Sequence, residues 1–328
     1  MFNNKSILIT GGTGTFGSEF CKVLAKNYKP KKIIIFSRDE LKQFELAKIY
    51  NQKFFRFFIG DVRDVERLNM AMKNVDFVVH AAAMKQVEIS EYNPQECIKT
   101  NINGAQNIIE AAIKNKVKKV IALSSDKAVG PLNLYGATKL ASEKLFVAAN
   151  NIAGGSTIFS SVRYGNVSGS RGSVIPYFKS LIDNNSTFIP LTDMKMTRFF
   201  ILIEDGVKFV INSLKRMHGG EIFIPKLKSL KIIDLIKAIA PEKQIKIIGI
   251  RPGEKLNEIL YSEDESRYCI EFYDHYLIPP IINLTYKKNF FFNSLKERGK
   301  KIKILKEYSS NDGIFLSMVE IRNILKKK

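Results

Sequence analysis

The run KSILITGGTGTFG, residues 5–17, decides how this chain is read. Residues 5–10 form an apolar segment of strand length, and glycines at 11, 12, 14 and 17 follow at once. Phe20, Val23 and Leu24 then recur at helical spacing over residues 18–26. Strand, glycine turn and helix in that order form the setting in which Gly12-x-Gly14-x-x-Gly17 binds a dinucleotide. Glycines permit the tight turn and a close backbone approach, and the helix N-terminus offers unpaired N–H groups and a positive dipole end to a pyrophosphate. The expected cradle is Gly11, Thr13, Gly14, Thr15, Phe16 and Gly17.

Outward from this loop the chain alternates. Strands are expected at 31–36, 54–59, 77–80, 117–123 and 157–164, with helices at 39–50, 66–73, 98–114 and 134–149 between them. The second strand, KKIIIF, is apolar on both faces, as a strand buried in a parallel sheet must be. Repeated βαβ units predict an α/β fold, a Rossmann-type doubly wound parallel sheet. The pattern holds to residue 165, so residues 1–165 are expected to form a cofactor-binding domain that also carries the catalytic residues. Residues 166–328 are expected to be mainly a smaller α/β substrate-binding region capping the C-terminal edge of the sheet, some of whose strands and helices can return to the first domain. Helices at 174–184 and 204–214 and strands at 221–225 and 244–249 are legible there; residues 261–311 show many aromatics and no clean period.

Composition narrows the function. The 328 residues are 45% hydrophobic and 26% charged, an ordinary globular balance. No apolar run approaches the ~20 residues of a bilayer span. The N-terminal segment enters a strand directly, leaving no room for a signal peptide, so the cytoplasm is expected. Three scattered cysteines and three histidines argue against a disulfide framework and against a metal centre. The net charge of +20 raises nucleic-acid binding, but no zinc-finger, helix-turn-helix or RNA-stacking motif accompanies it; a lysine-rich surface suited to an anionic substrate is the preferred account.

The end of the second strand selects the cofactor. A carboxylate there would hold a ribose 2′-hydroxyl, whereas this chain has Ser37-Arg38, and a guanidinium fork suits a 2′-phosphate. NADP is therefore expected, with Asp39 and Glu40 complementing the dipole of the next helix. Asp61-Val62 ends the third strand, where the carboxylate can accept from the adenine amino group. The small residues at 81–83 let the cofactor lie against backbone, and His80 reads as a buried structural residue. Tyr135-Gly-Ala-Thr-Lys139 puts a phenol and an ammonium one helical turn apart, behind a strand ending in Ser124-Ser125. The ammonium is expected to lower the phenol pKa, letting Tyr135 exchange a proton with a carbinol.

With those residues in hand the chain resembles a known family. The segments at 10–17, 37–42 (SRDELK), 60–64 (GDVRD), 92–101, 133–139 (NLYGATK), 163–167 (RYGNV), 196–199 (MTRF), 216–223, 248–256 (IGIRPGEKL) and 308–310 (YSS) are similar to those of the inverting UDP-N-acetylglucosamine 4,6-dehydratases, extended short-chain dehydrogenases/reductases that begin pseudaminic acid synthesis for flagellin and surface glycans. The resemblance implies NADP held also by Leu41, Lys42, Ala81 and Lys85, UDP-N-acetylglucosamine as substrate, and a homo-oligomer. It implies that Tyr135 takes the C4 hydroxyl proton during oxidation, that water leaves across C5–C6, and that C5 is reprotonated from the opposite face. Retaining relatives carry an Asp-Glu pair after the fifth strand, where this chain has Asp126-Lys127. Asp126 would protonate the leaving C6 hydroxyl, and Lys127 would handle the C5 proton if its pKa is lowered; Ser125 stands where a threonine is expected. Lys85, Asn166, Arg171, Arg198 and Arg251 would contact substrate, and Glu254 the uridine ribose. A 4-epimerase or retaining dehydratase is the nearest alternative, and a non-catalytic RNA-binding dinucleotide-fold protein the alternative of another class.

Overall fold

The computed structural model describes residues 1–50, 53–170, 172–282 and 288–326. The first half alternates as β1 (Ser6–Thr10), α1 (Thr15–Asn27), β2 (Lys32–Ser37), α2 (Glu40–Ile49), β3 (Phe55–Ile59), α3 (Val65–Ala71) and β4 (Phe77–His80). It continues with α4 (Val87–Tyr92), α5 (Pro94–Ile98), α6 (Gly104–Lys114), β5 (Lys119–Leu123), α7 (Leu134–Ala153) and β6 (Ile158–Val162). These strands pair in parallel in the order β3-β2-β1-β4-β5-β6. The order reverses at β1, which opens a crevice beyond the carboxyl ends of β1 and β4.

Period-two alternation sorts the side chains. Ile7 and Ile9 of β1 and Ile33 and Ile35 of β2 face one core, packed by Phe20 and Leu24 of α1. Leu8, Ile34, Val78 and Val120 face the other, packed by Leu68 of α3, Ile108 and Ala112 of α6 and Phe146 of α7. Each such side chain taken fully out of water contributes about 1.5–3 kcal/mol, and it is this two-sided burial that makes the strands read as apolar runs.

The second half adds β7 (Asn166–Val167), α8 (Val174–Asp183), β8 (Phe188–Leu191), β9 (Thr197–Ile201), α9 (Ile203–Arg216), β10 (Ile222–Pro225), β11 (Lys228–Lys231), α10 (Ile232–Ile239) and β12 (Gln244–Ile247). Short strands β13 (Ile259–Tyr261), β14 (Ile270–Glu271), β15 (His275–Ile278), β16 (Lys300–Lys301) and β17 (Tyr308–Ser309) follow. The small sheets β11-β9-β7 and β12-β8 form the cap, with a separate core built on α8, α10 and Ile321. The main sheet, however, does not stop at β6. β10 joins it in parallel, and β15, β14 and β16 extend it antiparallel to ten strands. Strands of two to four residues are too short to carry a period, which is why residues 261–311 could not be read. Among the described residues no helix is long and apolar enough to cross a membrane.

One further departure is local. The single helix expected at 98–114 is interrupted by a π-helical turn at Lys99–Asn103. The extra residue turns Asn101 inward: its side chain accepts from the Met84 N–H (2.9 Å) and donates to the Met84 carbonyl oxygen and to Thr138 Oγ1, both at 3.0 Å. The loop that carries Lys85 is thereby tied to α7, the helix of Tyr135 and Lys139.

Candidate active site

Two clefts meet at the carboxyl edge of the sheet. The first has a cavity volume of about 580 Å³ and is lined by Gly11, Thr13, Gly14, Thr15, Phe16 and Gly17, by Ser37, Arg38, Asp39 and Lys42, and by Asp61, Val62, Ala81, Lys85, Ser125, Tyr135 and Lys139. Gly11 has φ +65°, and a Cβ on Gly17 would stand 2.5 Å from the Gly11 carbonyl oxygen. The loop therefore closes on itself only with glycine at these positions. Helix α1 begins at Thr15 with neither a side-chain cap nor an acidic residue in its first turn, so its N-terminal dipole end is not cancelled locally. A cradle a Cβ would fill, next to a helix N-terminus without a side-chain cap, fits the pyrophosphate of a dinucleotide.

At the far end of this cleft Thr13 donates to the Ser37 hydroxyl (3.0 Å), and Arg38 stands 3.5 Å from Asp61. Burial pushes the Asp61 carboxyl up, but hydrogen bonds from Arg63 and the charges of Arg63 and Arg38 outweigh it and hold Asp61 below the usual range. Asp39 caps α2, accepting from the Lys42 N–H at 2.9 Å. Glu40 and Leu41 lie in the first turn of α2 outside the cleft lining, with Leu41 65% exposed. His80 is buried and hydrogen-bonded to Thr10 Oγ1 (2.8 Å); burial, helped by the charge of Lys139, lowers its pKa to about 3 and keeps it neutral.

The second cleft, about 920 Å³, lies between the sheet and the cap and is lined by Lys85, Glu88, Lys127, Asn166, Arg198, Arg251, Glu254 and Glu258, among others. Lys85, Lys127 and Asn166 border both cavities, so this is where the two open into each other. Arg171 lies outside the described residues. Arg198, expected to contact substrate, is buried, donates to the carbonyl oxygens of Thr197 (2.8 Å) and Leu256 (3.0 Å), and pairs with Glu254 (3.2 Å).

The candidate reacting groups sit at the junction. Helix α7 starts at Leu134 because Asn133 caps it, accepting from the Gly136 N–H (2.8 Å), and Tyr135 and Lys139 then fall on one face. A short 3₁₀ turn, Asp126–Ala128, holds the acid and the lysine, its Ser125 hydroxyl donating to Asp126 Oδ1 at 2.8 Å. Lys127 Nζ lies 3.0 Å from Asp126 Oδ1 and 3.1 Å from Glu258 Oε1.

Two electrostatic expectations are corrected here. The role expected for Lys127 rested on the condition that its pKa be lowered, and that condition is not met: burial does pull it down, but Asp126 and Glu258 together overcome that and hold it above the ordinary lysine value, as an ammonium. Tyr135 was expected to be lowered by Lys139. Burial instead leaves the phenol above its ordinary value, and the opposing influences are the charge of Lys127 and a hydrogen bond with Ser125. The Lys139 ammonium points into the protein, donating to the Leu123 carbonyl oxygen, and burial brings it down to about 8 against the charge of Glu143.

Sequence reasoning missed Glu258 and Asn101. Asn101 lies within the quoted segment 92–101, but its role needs the π turn. Glu258 stands just beyond the segment 248–256, and no local pattern marks it.

The polysaccharide biosynthesis protein family matches residues 7–280. The chain belongs to this family. It is 61% identical over 328 residues, covering 99% of this chain and 98% of the relative, to the inverting UDP-N-acetylglucosamine 4,6-dehydratase of Campylobacter jejuni serotype O:2. A UDP-glucose 4-epimerase of Rickettsia bellii is 42% identical, with 99% and 96% covered. Among solved structures, Pen from Bacillus thuringiensis superposes with a TM-score of 0.89 at 40% identity, covering 99% of this chain and 98% of that one. The resemblance drawn from the motifs to the inverting dehydratases thus extends along almost the whole chain.

Proposed function

We propose that the chain is a C5-inverting UDP-N-acetylglucosamine 4,6-dehydratase, a hydro-lyase that recycles NADP and opens a route to pseudaminic acid. The observation that carries this reading is the Asp126–Lys127 pair at the junction of the two clefts, beside Tyr135. A 4-epimerase needs a proton acceptor at C4 and nothing more; an elimination across C5–C6 needs an acid for the leaving hydroxyl and a proton handler at C5. Asp126 is buried, with Oδ2 lacking any hydrogen-bond partner, and this oxygen is available to the departing C6 hydroxyl.

Bound NADP would supply reversible hydride transfer, and the proton chemistry belongs to the chain. Tyr135 accepts the proton of the C4 hydroxyl in its phenolate form, which the Lys127 charge and the Ser125 hydrogen bond favour against burial, as that carbon is oxidised. The resulting ketone acidifies the C5 proton, which the Asp126 carboxylate takes up and then gives to the C6 oxygen as it departs, so that Asp126 ends the step as the carboxylate it began. Lys127, held as an ammonium, serves as the source of the proton that returns to C5. The 2′-phosphate preference follows from Ser37 and Arg38 at the end of β2, where the exposed guanidinium offers a planar fork.

Incubation with UDP-N-acetylglucosamine in deuterium oxide, followed by NMR, tests the reading. A 4-keto-6-deoxy sugar of L-arabino configuration carrying deuterium at C5 is expected. Unchanged substrate or a simple C4 epimer refutes it.

A further inference from the structure

The short C-terminal strand β17 has no place in the chemistry above, yet it fixes one group in the sugar cleft. Residues 308–310 pack on the segment that enters β13. Ser310 N–H donates to the Glu258 carbonyl oxygen (2.8 Å), and the Glu258 N–H donates to Ser310 Oγ (2.9 Å). The same Ser310 hydroxyl is 2.7 Å from Thr197 Oγ1, which donates to Asn257 Oδ1, also at 2.7 Å. Glu258 is thus clamped through its backbone on both sides, and Thr197 extends the clamp to β9, the strand of Arg198.

Its side chain is 3% exposed and lines the larger cleft. Oε1 lies 3.1 Å from Lys127 Nζ and 3.7 Å from Arg198 Nε, while Oε2 is buried without a hydrogen-bond partner. Leaving a buried carboxylate oxygen unpaired costs free energy, so the site is built either to retain that charge beside Lys127 or to present the oxygen to a ligand. Asp126 repeats the arrangement, with Oδ1 on Lys127 and Oδ2 unpartnered. One ammonium is held between two carboxylates, each with an oxygen to spare.

We propose that Glu258 is a positioning residue of the dehydration: clamped by Ser310, it fixes the Lys127 ammonium in the cleft as the second of two carboxylates and keeps it a proton donor, with Oε2 left to accept from a sugar hydroxyl. This rests on the reading of the site as a dehydratase, and it names a residue that reading does not use. When Lys127 delivers its proton, an N–H bond breaks as the C5–H bond forms from the electron pair of the C4–C5 enolate. The neutral amine left between Asp126 and Glu258 regains a proton from solvent before the next cycle. A carboxylate at 258 favours that recharging. Among the described residues, the charged and titratable groups that face Lys127 include Asp126 from its own turn, Tyr135 from α7, Arg198 from β9, and Lys255 and Glu258 from the segment before β13. Of these, Arg198 and Lys255 oppose its charge, and Asp126 and Glu258 uphold it.

Glu258→Gln keeps the shape and removes the charge. The direct readout is the Lys127 Nζ titration, followed by ¹⁵N NMR of lysine-labelled protein without substrate, with Lys127→Met identifying the signal. Loss of the Glu258 charge should move the titration down by at least about one pH unit, a tenfold change in proton affinity. In turnover, kcat should fall on the order of tenfold to a hundredfold with its alkaline limb displaced to lower pH, KM should change less, and Glu258→Asp should restore part of the rate. An unmoved Lys127 titration overturns the proposal, as does a Glu258→Gln enzyme with wild-type kcat and pH profile, or one whose defect lies wholly in KM. If Glu258→Gln does not fold, Ser310→Ala carries the test: the same displacement in smaller measure is expected, and an unchanged titration refutes the clamp. The NMR titration needs no turnover, so a wild-type protein that makes no keto sugar would fail the dehydratase reading and leave the Glu258–Lys127 result to stand or fall separately.

Discussion

Lys139→Met should make the protein more stable at neutral pH while abolishing turnover. Lys139 is buried on α7, and burial lowers its ammonium from 10.5 to about 8 even though Glu143 pulls the other way. A folded-state value below the unfolded one means that the unfolded chain binds the proton more tightly. The resulting penalty is fully present below about pH 8 and fades as the pH rises toward 10.5. At about 1.4 kcal/mol for each tenfold difference in proton affinity, the penalty is about 3 kcal/mol. Methionine keeps the unbranched stem but leaves the Leu123 carbonyl oxygen without the donor that Lys139 supplies, a loss of about 1–2 kcal/mol. The variant should therefore gain about 1–2 kcal/mol at pH 7 and lose that advantage by pH 10, where the wild-type penalty has fallen to less than about 1 kcal/mol and the orphaned carbonyl remains. Urea unfolding of both proteins, free of nucleotide, at pH 7 and pH 10 gives the two differences, and every other titrating group cancels between them. A stability difference that is the same at both pH values would refute the assignment of a depressed ammonium to Lys139.

Other perturbations test the frame around the site. Arg163 is fully buried and holds Glu143 and Glu265, along with the Leu260 carbonyl oxygen at 2.9 Å. Arg163→Met leaves Glu143 buried without its partner and should cost about 3–5 kcal/mol in urea unfolding; a cost under about 1 kcal/mol would mean the network contributes little. Gly17→Ala sets a Cβ 2.5 Å from the Gly11 carbonyl oxygen and 2.6 Å from Gly12 Cα, so dinucleotide affinity by calorimetry should fall at least tenfold, about 1.4 kcal/mol. An unchanged Kd would remove this loop from the cofactor site. Arg38→Ala should weaken NADP by about 1.5–3 kcal/mol, the worth of a hydrogen bond to a charged group, and leave NAD nearly untouched; equal losses for both cofactors would refute the 2′-phosphate assignment.

How much of this was legible in the chain depends on how far apart the cooperating residues lie. The glycine loop, Tyr135 with Lys139, and Asp126 with Lys127 each sit within a single turn or one helical repeat, so their spacing alone brings them together. The apolar runs at 31–36 and 77–80 are strands because both faces of each are covered, a condition visible as a missing alternation. Those local patterns determined the doubly wound sheet, the glycine loop and the phenol, acid and lysines that line the candidate site.

The tertiary structure decided what local spacing does not encode. β10, β14, β15 and β16 join the main sheet because their backbone hydrogen bonds find partners there, and strands this short have no periodicity to announce it. The charge on Lys127 is likewise a property of the fold. The sequence places one carboxylate beside it, at Asp126, whereas the second, Glu258, arrives from the segment before β13 under the hold of Ser310, and Arg198 comes from β9. Proton affinity depends on the sum of burial and every charge within a few ångströms, so it exists only once these distant segments are packed together. The chain alone named the lysine; the packing keeps it an ammonium in spite of its burial.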